Sequence, residues 1–84
     1  MKLTMKEWRI VKMLRQSELA KAIGISVPTL VEWEKHPEKI QLGKTYTIAD
    51  ALGVSVEDVL FMNPEDSDYE RVFQNILDGK DYEE

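Results

Sequence analysis

Residues 16–34 read QSELAKAIGISVPTLVEWE, a pattern that predicts two short helices joined by a tight turn. Gly24 stands where the chain must turn with a positive φ angle, which glycine adopts without steric cost. Ala20 is small enough for a second helix to cross closely. Apolar residues recur at helical spacing on the inward face, and they are Leu19, Ile23, Ile25, Leu30 and Trp33. The segment therefore predicts a helix-turn-helix, whose second helix can enter the major groove of DNA.

The composition is typical of one small globular domain. The 84 residues are 43% hydrophobic and include no cysteine, which excludes a disulfide framework and a thiolate metal site. The N-terminus carries charged residues without an apolar stretch, so neither a signal peptide nor a membrane anchor is expected. We therefore expect a cytoplasmic protein with no membrane partner, no cofactor and no metal ion.

The acidic charge is concentrated towards the C-terminus. The net charge is −5, but residues 65–84 contain eight acidic and two basic side chains, whereas residues 1–64 contain eight acidic and nine basic ones. Because basic side chains neutralise phosphates, the first part of the chain remains compatible with nucleic acid. We expect residues 1–62 to form a DNA-binding domain and residues 63–84 to form an acidic extension within the same compact unit.

Capping and periodicity predict an all-α fold in which five helices close the core. The first helix begins at Thr4, which has the spacing of a capping box with Glu7, and runs to about residue 13. The next three helices are expected at about 16–23, 27–35 and 44–52, with Ser26 as the N-cap of the helix at 27–35. Ser55 and Asp58 have the same capping spacing and predict a fifth helix through about residue 61.

An additional amphipathic helix is predicted after the linker at residues 63–66. Ser67 and Glu70 form a third capping pair. The apolar residues that follow recur at i, i+3, i+4, i+7 and i+8, and they are Tyr69, Val72, Phe73, Ile76 and Leu77. This stripe must be covered, either by docking on the bundle or by a second subunit, and the sequence leaves both possibilities open.

The order of these segments resembles the lambda-repressor-like helix-turn-helix family, the Cro and repressor or XRE-type domains. The resemblance covers about residues 4–61. It is carried by Trp8-Arg9, Gln16-x-x-Leu19-Ala20, Gly24-x-Ser26, Leu30, Trp33-Glu34, Ile48-Ala49-x-Ala51-Leu52-Gly53-Val54-Ser55 and Val59-Leu60. The resemblance implies a five-helix bundle that binds operator DNA, usually as a dimer, with its third helix in the major groove.

The resemblance also implies which residues contact the bases. Val27, Pro28 and Glu32 match the positions that contact base edges, and Thr29 lies beside them. Val27 and Pro28 can offer only apolar contact, for example to thymine methyl groups, while Glu32 can accept a hydrogen bond from a cytosine amino group. Alternatively, Glu32 lies on a solvated helix face and pairs with Lys35 or His36.

Other matched positions concern the DNA backbone and the fold. Gln16 matches the position that holds the DNA backbone at the start of the second helix. Basic side chains placed to reach phosphates are Arg15, Lys21, Lys35, Lys39 and Lys44. Arg9 and Glu34 match a family pair that joins the first helix to the third through a structural ion pair.

Three positions depart from the family pattern. Met13 stands where a glycine usually ends the first helix, and Arg15 replaces a capping serine or threonine. Lys35-His36-Pro37 replaces an Asn-Gly turn, which changes the expected course of the loop after the third helix.

The sequence supports two classes of function. The first is a small sequence-specific transcriptional regulator of phage or prophage type, which represses a promoter by binding an operator as a homodimer. The second is a protein-interaction module, such as an antitoxin or anti-repressor, which binds a protein partner through its acidic and apolar C-terminal helix. No enzyme is expected, because the chain has no cysteine, one histidine and no phosphate-binding glycine loop.

Overall fold

The helix-turn-helix segment lies within a bundle of α-helices. The computed structural model describes residues 1–61 and 64–71. Its helices are α1 (Met5–Val11), α2 (Gln16–Ile23), α3 (Val27–Lys35) and α4 (Thr45–Leu52). Single 3-10 turns lie at Pro37–Lys39, Leu42–Lys44, Val56–Asp58 and Pro64–Asp66. The predicted all-α fold is confirmed, and the predicted bounds of α2, α3 and α4 agree with the structure to within one residue.

Two helices begin at the capping residues that the sequence predicts. The Glu7 amide donates to Thr4 Oγ1 at 3.2 Å, and the Thr4 amide donates to Glu7 Oε1 at 2.9 Å. At α3, Ser26 Oγ accepts from the Thr29 amide at 3.3 Å, since Pro28 has no N–H to offer. These bonds satisfy amides that the first turn of a helix leaves without partners.

Three helices end in the same hydrogen-bonded motif. After α1, α2 and α4 one residue takes a positive φ angle, and these residues are Met13, Gly24 and Gly53. The next amide in each case donates back to the helix at 3.0 Å, from Leu14, Ile25 and Val54 to the carbonyl oxygens of Arg9, Ala20 and Ala49. This is the Schellman arrangement, and its left-handed position favours glycine. Helix α1 therefore stops at Val11, two residues before the predicted end.

Replacing Met13 with Gly should raise the free energy of unfolding by about 0.5–1 kcal/mol. Met13 has a φ angle of 59°, and a left-handed conformation costs a residue with a Cβ atom about 1–2 kcal/mol. Its side chain is 88% exposed, so little packing is lost. The greater freedom of glycine in the unfolded chain offsets part of the gain. Urea unfolding measures the difference, with Met13→Ala as the control, because alanine removes the same side chain but keeps the Cβ atom. Equal stability of the two variants would contradict the strain argument.

The predicted fifth helix is wrong in its local structure. Residues Val56–Asp58 form one 3-10 turn, and Val59–Leu60 continue as a strand, β2, which pairs in parallel with β1 (Leu3–Thr4). Ser55 Oγ bonds to the Glu57 carboxylate and makes no capping bond. The capping pattern is local, whereas the extended conformation of Val59 is stabilised by pairing with Leu3, which lies far away in the sequence.

The core lies where α1, α2, α3 and α4 meet the small sheet. Its buried apolar side chains are Leu3, Met5, Trp8, Leu19, Ala20, Ile23, Leu30, Trp33, Ile48, Ala49, Leu52 and Val59. The inward positions predicted for the helix-turn-helix are confirmed as buried, except that Ile25 is partly buried. Leu3 was not predicted as a core residue, yet it is fully buried through its place in the sheet.

The segment that follows the sheet lies against the N-terminus. The Lys2 amide donates to Asp68 Oδ2 at 2.8 Å, and the Asp68 amide donates to the Lys2 carbonyl oxygen at 2.8 Å. Ser67 Oγ bonds to the Glu7 carboxylate and accepts from the Tyr69 amide at 3.0 Å. Tyr69 is partly buried against the core. Residues 69–71 are helical, and the remainder of the predicted sixth helix, with Val72, Phe73, Ile76 and Leu77, lies outside the described residues.

Candidate nucleic-acid interface

The turn between α2 and α3 fixes the orientation of the two helices. Gly24 adopts a φ angle of 87°, and the Ile25 amide donates to the Ala20 carbonyl oxygen. Leu19 and Ala20 of α2 and Leu30 of α3 are buried in the same core. Because these inward side chains hold α3 against the bundle, the opposite face of α3 is left for contact with a partner.

The N-terminal turn of α3 presents a mostly apolar surface. Val27 is 39% exposed, and Pro28 beside it is exposed as well. The Thr29 hydroxyl lies 2.9 Å from the Ser26 hydroxyl, so the two share a hydrogen bond. One of the two hydroxyls uses its only proton in this bond, so only the other can still donate, while Thr29 Oγ1 can still accept a hydrogen bond. Three of the four base-edge candidates thus lie together on one turn, two of them apolar and one able to form a hydrogen bond.

Glu32, the fourth base-edge candidate, forms an ion pair with a residue of the loop after α3. Lys39 Nζ donates to Glu32 Oε2 at 2.5 Å, and both side chains remain about half exposed. The expected partners were Lys35 or His36, but the 3-10 turn at Pro37–Lys39 brings Lys39 to this carboxylate. The hydrogen bond from Lys39 holds the pKa of the Glu32 carboxyl below its ordinary value, and the positive charge of Lys39 adds to the effect.

Replacing Lys39 with Met should return the pKa of the Glu32 carboxyl towards its ordinary value. The lowered pKa means that the contact stabilises the fold above the ordinary pKa of the carboxyl, and this contribution is lost as the pH falls through the lowered value. A carbon-detected NMR titration of the Glu32 carboxyl measures the change. Lys35→Met serves as the control and should give a smaller rise, since Lys35 acts on Glu32 only weakly and through charge alone. An unchanged titration of Glu32 in the Lys39→Met variant would contradict the ion pair.

The side chains predicted to contact the DNA backbone differ in their exposure. Arg15, Lys21 and Lys35 are exposed, and Lys44 is half-buried at the end of its 3-10 turn. Arg15 cannot accept a capping bond, so the start of α2 relies instead on Glu18 Oε1, which accepts from the Arg15 amide at 2.7 Å. Phosphate contact therefore remains available to the exposed side chains around α2 and α3.

Gln16 belongs to a polar cluster that joins three elements. Arg9 Nε donates to Glu34 Oε2 at 2.6 Å, and Arg9 Nη1 donates to the Leu14 carbonyl oxygen at 3.0 Å. Gln16 Nε2 donates to Glu34 Oε1 at 3.0 Å. The Glu34 side chain is only 3% exposed, so this carboxylate depends on both donors. The structure thus brings Arg9 and Glu34 together, and it adds Gln16, whose link to Glu34 no sequence spacing indicated.

This cluster limits the part that Gln16 can play at an interface. One of its two amide hydrogens is used by Glu34, and the other hydrogen remains able to donate to a phosphate. The bond to Glu34 also orients the amide at the start of α2, where the partial positive charge of the helix end favours an anion. Gln16 is therefore held in place before any ligand arrives.

The described residues offer little for other kinds of site. Within residues 1–61 and 64–71, no group of three or more histidine or acidic side chains is placed to hold a metal ion. No helix in the same part of the chain is long and apolar enough to cross a membrane.

A family profile described as helix-turn-helix matches residues 5–59, which is well over half of the chain. The chain belongs to the lambda-repressor-like helix-turn-helix family. In general terms it is thus a DNA-binding regulator of the XRE type. No curated protein and no solved structure gives a significant match to the chain. The match includes α1 to α4 and reaches the first residue of β2, so the helix-turn-helix is embedded in the family's usual framework.

Proposed function

We propose that this helix-turn-helix protein is a sequence-specific repressor of phage or prophage type that inserts α3 into the major groove of an operator. The observation that carries the proposal is the first turn of α3, where Val27 and Pro28 are exposed and Thr29 beside them is partly buried. Exposed basic side chains flank this helix, and they are Arg15, Lys21, Lys35 and Lys39. Apolar contact to thymine methyl groups and phosphate contact from the lysines would together hold the helix in the groove.

The proposal includes a division of the chain into two parts. Residues 1–62 would bind DNA as a cytoplasmic, non-enzymatic domain, and residues 63–84 would form an acidic extension of the same compact unit. A homodimer would place two α3 helices on the two halves of a palindromic operator. The hydrogen bonds between Lys2 and Asp68 support docking of the first part of the extension on its own bundle.

Binding of the full chain to duplex DNA over a salt series tests the function. The affinity should fall steeply as the salt concentration rises, because each neutralised phosphate releases counterions. A selection from random duplexes should then return one preferred sequence. Lys44→Ala should weaken binding to all duplexes alike, with Lys6→Ala, an exposed lysine of α1, as the matched control. Thr29→Ala should change the preferred sequence. Absence of binding at low salt would reject the proposal.

The second candidate function is a protein-interaction module, and the acidic charge of residues 65–84 favours it. In that case the chain would bind a basic protein partner through its C-terminal residues.

The same region is also the candidate homodimer interface. Sedimentation of the full chain, compared with the double variant Ile76→Glu and Leu77→Glu, tests whether this region holds a homodimer. A wild-type dimer that becomes a monomer in the variant supports the dimer, whereas an unchanged monomer rejects it.

A further inference from the structure

The Glu32–Lys39 ion pair joins the two parts of the chain that would meet DNA in different ways. Glu32 lies on α3 among the residues placed to contact bases, and Lys39 lies in the loop placed along the sugar-phosphate backbone. Their charged atoms are 2.5 Å apart. In the free protein, each of the two charged groups is therefore the ion-pair partner of the other. A phosphate that attracts Lys39 must compete with Glu32 for it.

Both side chains are free to exchange partners. They are about half exposed, and exposed ion pairs contribute little to stability because water and salt compete with them. Lys39 is held by a flexible stem, so its ammonium group can move from the carboxylate to a phosphate. Glu32 has less freedom, since it is anchored within α3 and would stay in the groove. The charge of Lys35 also acts on its carboxylate, and so does that of His36 when its imidazole is protonated.

We propose that Glu32 discriminates between DNA sequences, because a DNA phosphate draws away Lys39, the counter-ion of Glu32 in the free protein. The proposal rests on the proposed function. When Lys39 turns to a phosphate, the Glu32 carboxylate loses its main partner in a groove bordered by negative charge. A base that presents only an amino donor at its major-groove edge compensates for this loss, and cytosine is that base. A base that presents only acceptors to the carboxylate, such as guanine, leaves it repelled and unpaired, so that base is disfavoured at this position.

This arrangement explains how an acidic side chain can serve on a DNA-contacting helix. In the free protein Lys39 cancels the charge of Glu32, so the protein approaches DNA without an uncovered carboxylate on α3. On non-cognate sequences the pair remains closed or opens at a cost, which lowers non-specific affinity. Specificity then comes from rejection of wrong base pairs as well as from contact with the right one.

Selection from random duplexes with the full-length wild-type chain, Glu32→Gln and Lys39→Gln tests the proposal. The wild type should require cytosine at one position of each half-site, with about a tenfold loss of affinity when that base is replaced. Glu32→Gln should lose this requirement or exchange it for adenine, which a glutamine amide reads, and should bind random duplexes more tightly. Lys39→Gln should keep the cytosine requirement but bind every sequence more weakly, with a smaller salt dependence.

The outcomes separate the inference from the function on which it rests. If the wild type binds no duplex at low salt, the proposed function fails and the discriminator fails with it. If the wild type binds specifically but Glu32→Gln selects the same sequence with the same discrimination, only the discriminator is overturned. The same holds if Lys39→Gln leaves both affinity and salt dependence unchanged, because the pair then stays closed on DNA. Circular dichroism of both variants confirms that the comparison is made between folded proteins.

Discussion

Replacing Arg9 with Ala should lower the free energy of unfolding by about 3–5 kcal/mol. The substitution removes the ion pair to Glu34 and the bond to the Leu14 carbonyl oxygen. The Glu34 carboxylate, whose side chain is 3% exposed in the intact protein, would lose its counter-ion and keep Gln16 as a donor. A domain of this size is stable by only about 4–12 kcal/mol. The Arg9→Ala protein should therefore lose a large part of its stability, and DNA binding should fall in proportion to the fraction that is unfolded.

Urea unfolding followed by circular dichroism measures the effect of Arg9→Ala. Arg15→Ala is the matched control, because it removes the same guanidinium from an exposed position and should change stability by less than about 0.5 kcal/mol. The double variant Arg9→Met and Glu34→Leu should recover much of the loss, since it leaves no uncompensated charge. A loss below about 1 kcal/mol for Arg9→Ala would mean that the pair acts like an ordinary surface ion pair.

Replacing Leu3 with Ala should lower the free energy of unfolding by about 2–5 kcal/mol. Leu3 is 0% exposed and pairs with Val59 across the small parallel sheet. Truncation would remove buried methyl groups and leave a cavity. The short strand β1 pairs with β2 and runs directly into α1, so it cannot easily move to fill that cavity. The loss should also loosen the contact between the two ends of the domain.

Thermal or urea unfolding of Leu3→Ala is best compared with Leu42→Ala, which makes the same chemical change at an 86% exposed site. The control should lie within about 0.5 kcal/mol of the wild type. Similar stability for the two variants would contradict the packing of Leu3 in the core. Helix patterns in the sequence do not predict different effects for Leu3→Ala and Leu42→Ala, because Leu3 precedes the first helix.

The parts of the fold that the sequence predicts are those with local causes. Thr4 with Glu7, and Ser26 with Thr29, act within one helical turn, so their spacing is visible in the sequence. Gly24 signals a helix end through its own backbone freedom. The pairing of Leu3 with Val59 has no local signal, since it depends on where α1 and α4 carry the two segments. The fifth helix was predicted wrongly for this reason.

The candidate site likewise has features that the sequence predicts and features that depend on tertiary structure. The residue types on α3 follow from the helical register, so the apolar character of Val27 and Pro28 is evident from the sequence. The partner of Glu32 is not, because the path of the loop through Pro37 decides that Lys39, and not Lys35 or His36, reaches the carboxylate. The bond from Gln16 to Glu34 likewise requires the α2–α3 crossing. Sequence thus indicates which groups are present, and tertiary structure decides which of them are already paired.

The pairing of Leu3 with Val59 also has a consequence during synthesis. The first strand of the sheet is made before α1, but its partner is made only after helices α1 to α4 have been translated. At about 5–20 residues per second, Val59 is added roughly 3–11 s after Leu3. The turn between α2 and α3 needs no partner outside these two helices, because its hydrogen bonds are local. Closure of the domain must wait for its last segment, so a ribosome that pauses before residue 59 holds a chain whose N-terminal strand has no partner.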